Sequence, residues 1–358
     1  MSGVGLLGRL ASETAVLRQR LDLLTRQQAS GLRAERLGDL GAAVSRLVSM
    51  RGEVQRREVY NASMTQALGR TGVMQEALTR MTEIAREFRT TVTQRITSSD
   101  TNSLATVQSQ ARAALTEVAH LLNTQYTGEF LFGGSDLTHP PIPDPDGIGG
   151  GQMAQDIAAA VATLGGSGAA AVSAATLGIA QSTAAGISPF SAFLNADESL
   201  PAASQEARRA VPSDDGATIG YGIMANRNAT AISTGDTTGG WARDLMRGLM
   251  SLAALDPSQM ADGVQFDALV KNIRDGLLSA ENALGEEAGA LGQVEARMEA
   301  FQTRHKNLLT VLAGQIANIQ EVDPAETLSR LQNTKATLEA SYSVIGSLNG
   351  LNLVNYLK

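Results

Sequence analysis

Three histidines, at positions 120, 139 and 305, are the side chains best placed to exchange a proton near neutral pH or to ligate a metal ion. Each stands alone, without a second histidine or an acid at the spacing of a zinc site. His305 falls on an apolar helical stripe and His120 within a helical segment, so both read as packing or surface residues. His139 sits in a proline loop and reads as a surface residue. The run DPDGIG at 144–149 has the beginning of a calcium loop but lacks its full spacing and closing glutamate, and reads as a tight turn. Glycine clusters at 149–151 and 165–168 lack the strand-to-helix setting and the lysine of a phosphate loop. In GISPF no second glycine follows the serine at the spacing of a nucleophile elbow. Cysteine is absent, which excludes disulfides, thiolate metal sites and a cysteine nucleophile. Neither an enzyme nor a cofactor or metal site is expected.

The 358 residues carry 29 basic and 36 acidic side chains, a formal net charge of -7. A general nucleic-acid binder would need a concentrated excess of lysine and arginine. The charge is unevenly placed. Residues 1–100 hold 15 arginines, no lysine and 10 acids, whereas residues 135–270 hold 14 acids, five arginines and no lysine. Solvated helix faces would account for the first excess. So would basic helices lying against acidic surfaces of neighbours while the acidic middle faces solvent. No segment reads as a membrane span: the uncharged stretch between Asp156 and Asp197 is mostly Ala, Gly, Ser and Thr. The first arginine is at position 9 and the first acid is Glu13, so the N-terminus lacks the basic-then-apolar order of a signal peptide. Any export is expected to proceed without a cleaved signal.

Proline placement divides the chain. The first is Pro140, and only Pro324 lies beyond Pro257, so both ends can carry long helices and the middle cannot. Leu10, Thr14, Leu17, Leu21 and Leu24 step by four and three residues, the seam one helix presents to another. The pattern breaks at the glycines of SGLRAERLGDLG, 30–41. A second seam runs through Met64, Leu68, Leu78, Met81, Phe88 and Val92, and a third through Leu104, Val107, Ala111, Val118, Leu121 and Gln125. The SSDTN turn at 98–102 should set these two helices antiparallel. Towards the other end, Leu291, Val294, Met298, Phe301, His305, Leu308, Leu312, Ile316 and Ile319 predict a helix over 291–321. VDPAETL then supplies Asp323 as an N-cap, Pro324 at the first helical position and Glu326 three residues after the cap. The last helix offers Leu328, Leu331, Leu338, Tyr342, Ile345, Leu348 and Leu351 on a broad apolar face, followed by Leu353 and Leu357.

The expected fold is mainly α. A long discontinuous helical bundle or coiled coil is formed by both chain ends, with a small mixed α/β domain inserted. The divisions expected are an N-terminal helix and loop (1–45), the N-terminal part of the bundle (46–133), the insert (134–264), the C-terminal part of the bundle (265–322) and a C-terminal helix (323–358). Within the insert, GGSG at 165–168 should split two short helices, GATIGYGIMANRNATAIST at 216–234 should give a few strands, and WARDLMRGLMSLAAL at 241–255 a helix ended by Asp256-Pro257. A lone helix leaves its stripe wet and is marginal in water. The terminal segments therefore need each other, or neighbouring copies of the chain.

Helical stripes at both ends of an insert, without cysteine, resemble the flagellin superfamily, and within it the hook-associated protein 3 branch. ASGLRAERLGDLGAAVSRL at 29–47 is similar to that family's segment after the first helix, and TQYTGEFLFGGSD at 124–136 to the turn that closes its N-terminal helices. GALGQVEARME at 289–299 resembles the start of its long C-terminal helix. LQNTKATLEASYSVIGSLNGLNLVNYLK at 331–358 looks like the hook-associated ending more than flagellin's own. The resemblance implies a structural subunit at the hook–filament junction, extracellular, exported unfolded through the flagellar type III channel with a cytoplasmic chaperone on its C-terminal helix. Its implied partners are copies of itself in a ring, the neighbouring hook-associated protein and flagellin. The assembly interface expected is Leu10, Leu17, Leu21 and Leu24 with Leu331, Leu338, Tyr342, Ile345, Leu348, Leu351, Leu353 and Leu357. The rival readings are flagellin itself and a soluble coiled-coil signalling scaffold.

Overall fold

The computed structural model of the chain describes residues 3–96 and 101–350, and the side chains of 8–94, 96 and 103–347. The helices are α1 (Gly3–Ser30), α2 (Ala43–Arg95), α3 (Thr101–Leu122), α4 (Gln152–Ala162), α5 (Leu164–Ala180), α6 (Ala192–Glu198), α7 (Trp241–Ala254), α8 (Gly263–Gln320) and α9 (Pro324–Gly350). The strands are β1 (Gln125–Tyr126), β2 (Glu129–Phe130), β3 (Ala210–Asp214) and β4 (Ala217–Gly220). Long helices thus occupy the two ends and short elements the middle, as the proline distribution requires. The mainly helical fold with a small strand-bearing insert is the one expected. Two compact units result: one holds the residues up to Val59 and from Arg304 onward, the other Tyr60–Thr303.

In the Tyr60–Thr303 unit, α2, α3, α7 and α8 enclose one apolar core that includes Leu78, Met81, Leu104, Leu115, Leu245, Phe266 and Leu277. The antiparallel pairing of α2 and α3 is fastened by Arg80, whose Nε donates to Glu117 at 2.6 Å. Arg86 and Arg89 of α2 both donate to Glu281 of α8, at 2.9 and 2.7 Å. Two details of the seams differ from expectation. Gln125 lies past the end of α3 in β1, and Leu122 is buried instead. The helix expected over 291–321 starts much earlier, at Gly263, and stops at Gln320.

The insert has no core of its own. α4 and α5 pack against α7, and their Ile157, Val161 and Val172 join the same apolar cluster as Leu78 and Phe266. The break in α5 comes at Gly168 (φ 80°, ψ 160°), within the GGSG run, where only glycine is unstrained. From Trp241 to Leu252 every residue of α7 is buried, Arg243, Asp244 and Arg247 included. Charges so placed need compensating partners. Arg243 donates to the Ala180 carbonyl (2.7 Å) and Glu198 (2.6 Å), with its guanidinium 4.8 Å from the Phe190 ring centroid. Arg247 donates to the Ser173 carbonyl and Asp236 Oδ2, both at 2.9 Å. Burial alone would raise Asp236, but hydrogen bonds from Ser173 and Arg247 hold its carboxyl below the ordinary value. Asp244 goes the other way: burial pushes it up despite donation from Thr237 and Thr238.

Fewer strands form than 216–234 suggests. β3 and β4 make one hairpin, pairing Val211 with Ile219, and set Val211, Ile219 and Tyr221 on Met64, Ala67 and Met298. Residues 221–240 then cross the core without regular structure. The donors a strand partner would use are taken by α8: Glu287 Oε1 accepts the amides of Ala229 (2.7 Å), Thr230 (2.8 Å) and Ala231 (2.8 Å), and Glu286 that of Ile232 (3.2 Å).

TQYTGEFLFGGSD forms the other hairpin, β1–β2. Its turn residues Thr127 (φ 51°) and Gly128 (φ 82°) both take the left-handed conformation that suits a two-residue hairpin. Tyr126 lies over Gly69 of α2, and Arg70, itself buried, pairs with Glu129 while its guanidinium sits 5.7 Å from the Tyr126 ring centroid.

Candidate assembly surface

α1 and α9 pack together in the terminal unit, and they run antiparallel. Two contacts show the direction: Leu32, beyond the end of α1, bridges to Glu321, before the start of α9, while Arg18 meets Tyr342 further along both helices. The turn into α9 is built as its sequence dictates. α8 ends at Gln320, and Asp323 Oδ1 accepts the amides of Ala325 (2.8 Å) and Glu326 (3.2 Å), so Pro324 separates two helices.

On α1 the seam is the one expected. Thr14 and Leu24 are buried and Leu10, Leu17 and Leu21 half-buried. α9 turns a different face inward. Thr327, Thr334 and Leu338 are buried, and Leu331, Ser341 and Ile345 half-buried, again in steps of four and three. Leu328 and Tyr342 are exposed. Threonine can serve in the seam because its hydroxyl returns to its own helix: Thr334 donates to the Arg330 carbonyl at 2.8 Å, and Thr14 to that of Ala11 at 2.9 Å. The side chain of Leu348, and all of Leu351, Leu353 and Leu357, lie outside the described residues.

A second apolar set faces solvent. Val16 (62% exposed), Leu23, Val48, Leu308, Val311 and Val344 all belong to the terminal unit, and most of the large exposed apolar side chains among the described residues are there. Burying such side chains yields about 25 cal/mol per Å², so this surface gains from a partner. Sequence reading passed over it. The seven-residue step from Val16 to Leu23 is a second stripe beside the first and was the available signal. Alongside lies an open cleft of about 350 Å³ between the end of α1 and the following linker, lined by Leu23, Arg26, Leu32, Arg33 and Asp39 among others.

The side chains that could do chemistry are otherwise engaged. His120 Nε2 pairs with Asp146 and His139 Nδ1 with Asp136, each at 2.9 Å. His305 is fully buried. Asp144 accepts the Gly147 amide at 2.9 Å, closing the DPDG turn. No group of three or more His, Asp or Glu able to hold a metal ion occurs among the described residues. No helix among them is long and apolar enough to cross a membrane.

Two family descriptions match the chain. The bacterial flagellin N-terminal helical region matches residues 15–136, and the bacterial flagellin C-terminal helical region matches residues 275–357, together more than half the sequence. No curated protein matches it.

Proposed function

Because the chain belongs to the flagellin family, and is thus a structural rather than catalytic subunit of the extracellular bacterial flagellum that assembles with others of its kind, we propose that it occupies the junction between hook and filament. Its C-terminal sequence supports this place. LQNTKATLEASYSVIGSLNGLNLVNYLK resembles the ending of hook-associated protein 3 and lacks the Gln-Asn-rich stretch that usually precedes flagellin's last leucines. The observation that carries assembly is the apolar surface left open on the terminal unit. A subunit that works alone has no use for such a surface.

In this reading residues 1–45 and 323–358 form the polymer core, 46–133 and 265–322 the surrounding bundle, and 134–264 the part directed outward. The subunits form a ring, bounded by a neighbouring hook-associated protein on one side and flagellin on the other. Before assembly the chain passes unfolded through the type III export channel, with a cytoplasmic chaperone covering the apolar C-terminal helix. The interface is built on the α1–α9 pair: Leu10, Leu17, Leu21, Leu24, Leu331, Leu338 and Ile345 hold the two helices together, exposed Tyr342 and the outer apolar set meet the neighbouring subunit, and Leu348, Leu351, Leu353 and Leu357 continue the surface.

Deletion of the gene tests the proposal, with cells and culture medium examined together. Hooks without filaments and flagellin shed into the medium are expected. Hooks without filaments and no flagellin outside would make this chain the filament subunit instead. Normal filaments and swimming in a strain with no second copy of the gene would overturn both readings.

A further inference from the structure

The α1–α9 seam repeats every seven residues on both helices, and its polar members do not choose a partner. Thr14 and Thr334 spend their hydroxyls on their own helices. Among the described residues the hydrogen bonds that cross between α1 and α9 come down to one, Arg18 with Tyr342, at the exposed edge. Sliding α1 by one heptad would therefore set leucines and threonines against leucines and threonines again. The shift is roughly 10 Å, at about 1.5 Å per residue. In coiled coils a buried polar pair often removes that ambiguity, and this seam has none.

The register is fixed at the end of the pair. There the backbone leaving α1 and the backbone entering α9 bind each other in both directions. Arg33 N–H donates to the Gln320 carbonyl at 2.7 Å, and Val322 N–H donates to the Gly31 carbonyl at 3.0 Å, across the antiparallel bridge of Leu32 with Glu321. Side chains close it further: Arg33 Nη2 donates to the Asn318 carbonyl (3.3 Å), and Gln27 Nε2 to the Arg33 carbonyl (2.8 Å). Gly31, at φ 71°, lets the chain turn out of α1 directly into this ladder. Only Asp323 separates the ladder from α9, and its side chain caps that helix at once, so there is no slack in which to slip.

We propose that the two-way ladder at Gly31–Arg33 and Gln320–Val322 is a register clamp: it selects one alignment of α1 against α9 from the several that their seven-residue repeat would accept. This holds whether the chain sits at the junction or in the filament.

The absence of native cysteine makes the test direct. Arg18→Cys/Tyr342→Cys reports the observed register when the full-length monomer is treated at high dilution with a short bifunctional maleimide. Ala11→Cys/Tyr342→Cys and Thr25→Cys/Tyr342→Cys report slips of one heptad in either direction. With the clamp intact, only the 18/342 chain is expected to cross-link internally. Val322→Pro deletes one ladder donor and Arg33→Pro the other, at positions already outside the helices; Val322→Ala keeps the donor and is the control. In each proline variant the 18/342 product should fall several-fold and a slipped product should appear, while Val322→Ala stays like the parent. A proline variant that remains helical by circular dichroism and still gives only the 18/342 product would overturn the proposal. So would loss of all products and of helicity in both proline variants, which would make the ladder a source of stability and not of alignment.

Discussion

Glu287 of α8 accepts the backbone N–H of Ala231 at 2.8 Å, and the same oxygen takes the amides of Ala229 and Thr230. One carboxylate thereby fastens a stretch without regular structure to a long helix. Glu287→Ala would strand these donors at a buried site, at a total cost of about 3 kcal/mol or more. Glu287→Gln retains an acceptor and should cost less. The single tryptophan, Trp241, is fully buried in the same unit, so the shift of its fluorescence transition in denaturant measures the effect.

Acid should loosen the α2–α8 pairing at a definite place. Burial would raise Glu281, but its hydrogen bonds from Arg86 and Arg89 outweigh that and hold it below its ordinary 4.5. A depressed carboxyl contributes stability above its unfolded value that is lost as pH falls through its folded one. The stability gap between the parent and Glu281→Gln should therefore be full at neutral pH, narrow below 4.5 and close in stronger acid. Unfolding titrations at a series of pH values would show it. Asp244, raised by burial, has the opposite sign: its contribution is lost as pH rises through its folded value.

Arg243 is buried between Glu198, the Ala180 carbonyl and the face of Phe190. Truncating it to alanine removes one partner of a buried pair and should cost about 3–5 kcal/mol. Lysine restores the charge but not the planar fork or the stacking, so Arg243→Lys should recover little of the loss. Thermal melts followed at Trp241 separate the two.

A methyl group at position 69 has no room. The Cβ of Gly69→Ala would lie 2.9 Å from Tyr126 Cζ and closer still to its hydroxyl oxygen. The substitution should cost about 1–3 kcal/mol by overpacking. Tyr126→Phe in the same chain should return part of it, and the two single changes should then fail to add.

On α1, neighbouring leucines should behave differently. Leu24 is buried in the seam and Leu23 is 47% exposed beside it. Leu23→Asp should leave the monomer's circular dichroism unchanged and reduce polymerisation, whereas Leu24→Asp should lower helicity as well. If Leu23→Asp chains polymerise at the parental rate, the outer stripe is not part of the assembly surface.

The helices were legible because proline and the three-four spacing of leucine mark them directly. α1's seam follows from Leu10 to Leu24 without correction. α9's does not, since leucine and tyrosine drew the eye to Leu328 and Tyr342 while Thr327 and Thr334 were the residues turned inward. A threonine that bonds its own helix behaves as a small apolar residue, and periodicity read from large side chains passes it by. α7 was legible as a helix but not as a buried one, because Arg243 and Arg247 signal a surface until Asp236 and Glu198 are known to meet them. Nothing local in the sequence could pair Glu287 with Ala229, Thr230 and Ala231, which lie more than fifty residues away. The clamp at Leu32 and Glu321 is more distant again.

Trp241 meets Phe132 edge-on, with ring centroids 6.3 Å apart, in a core that runs from Met74 through both of them to Leu291. This core is complete only once the ribosome has made α8, which supplies Phe266, Leu269, Leu277 and Leu284. Until then the bundle helices α2, α3 and α7 lack the apolar face that α8 brings to them, and bringing such remote segments together is slow. A core shared between insert and bundle thus sets a clock. The Tyr60–Thr303 unit becomes a folded body only when α8 arrives.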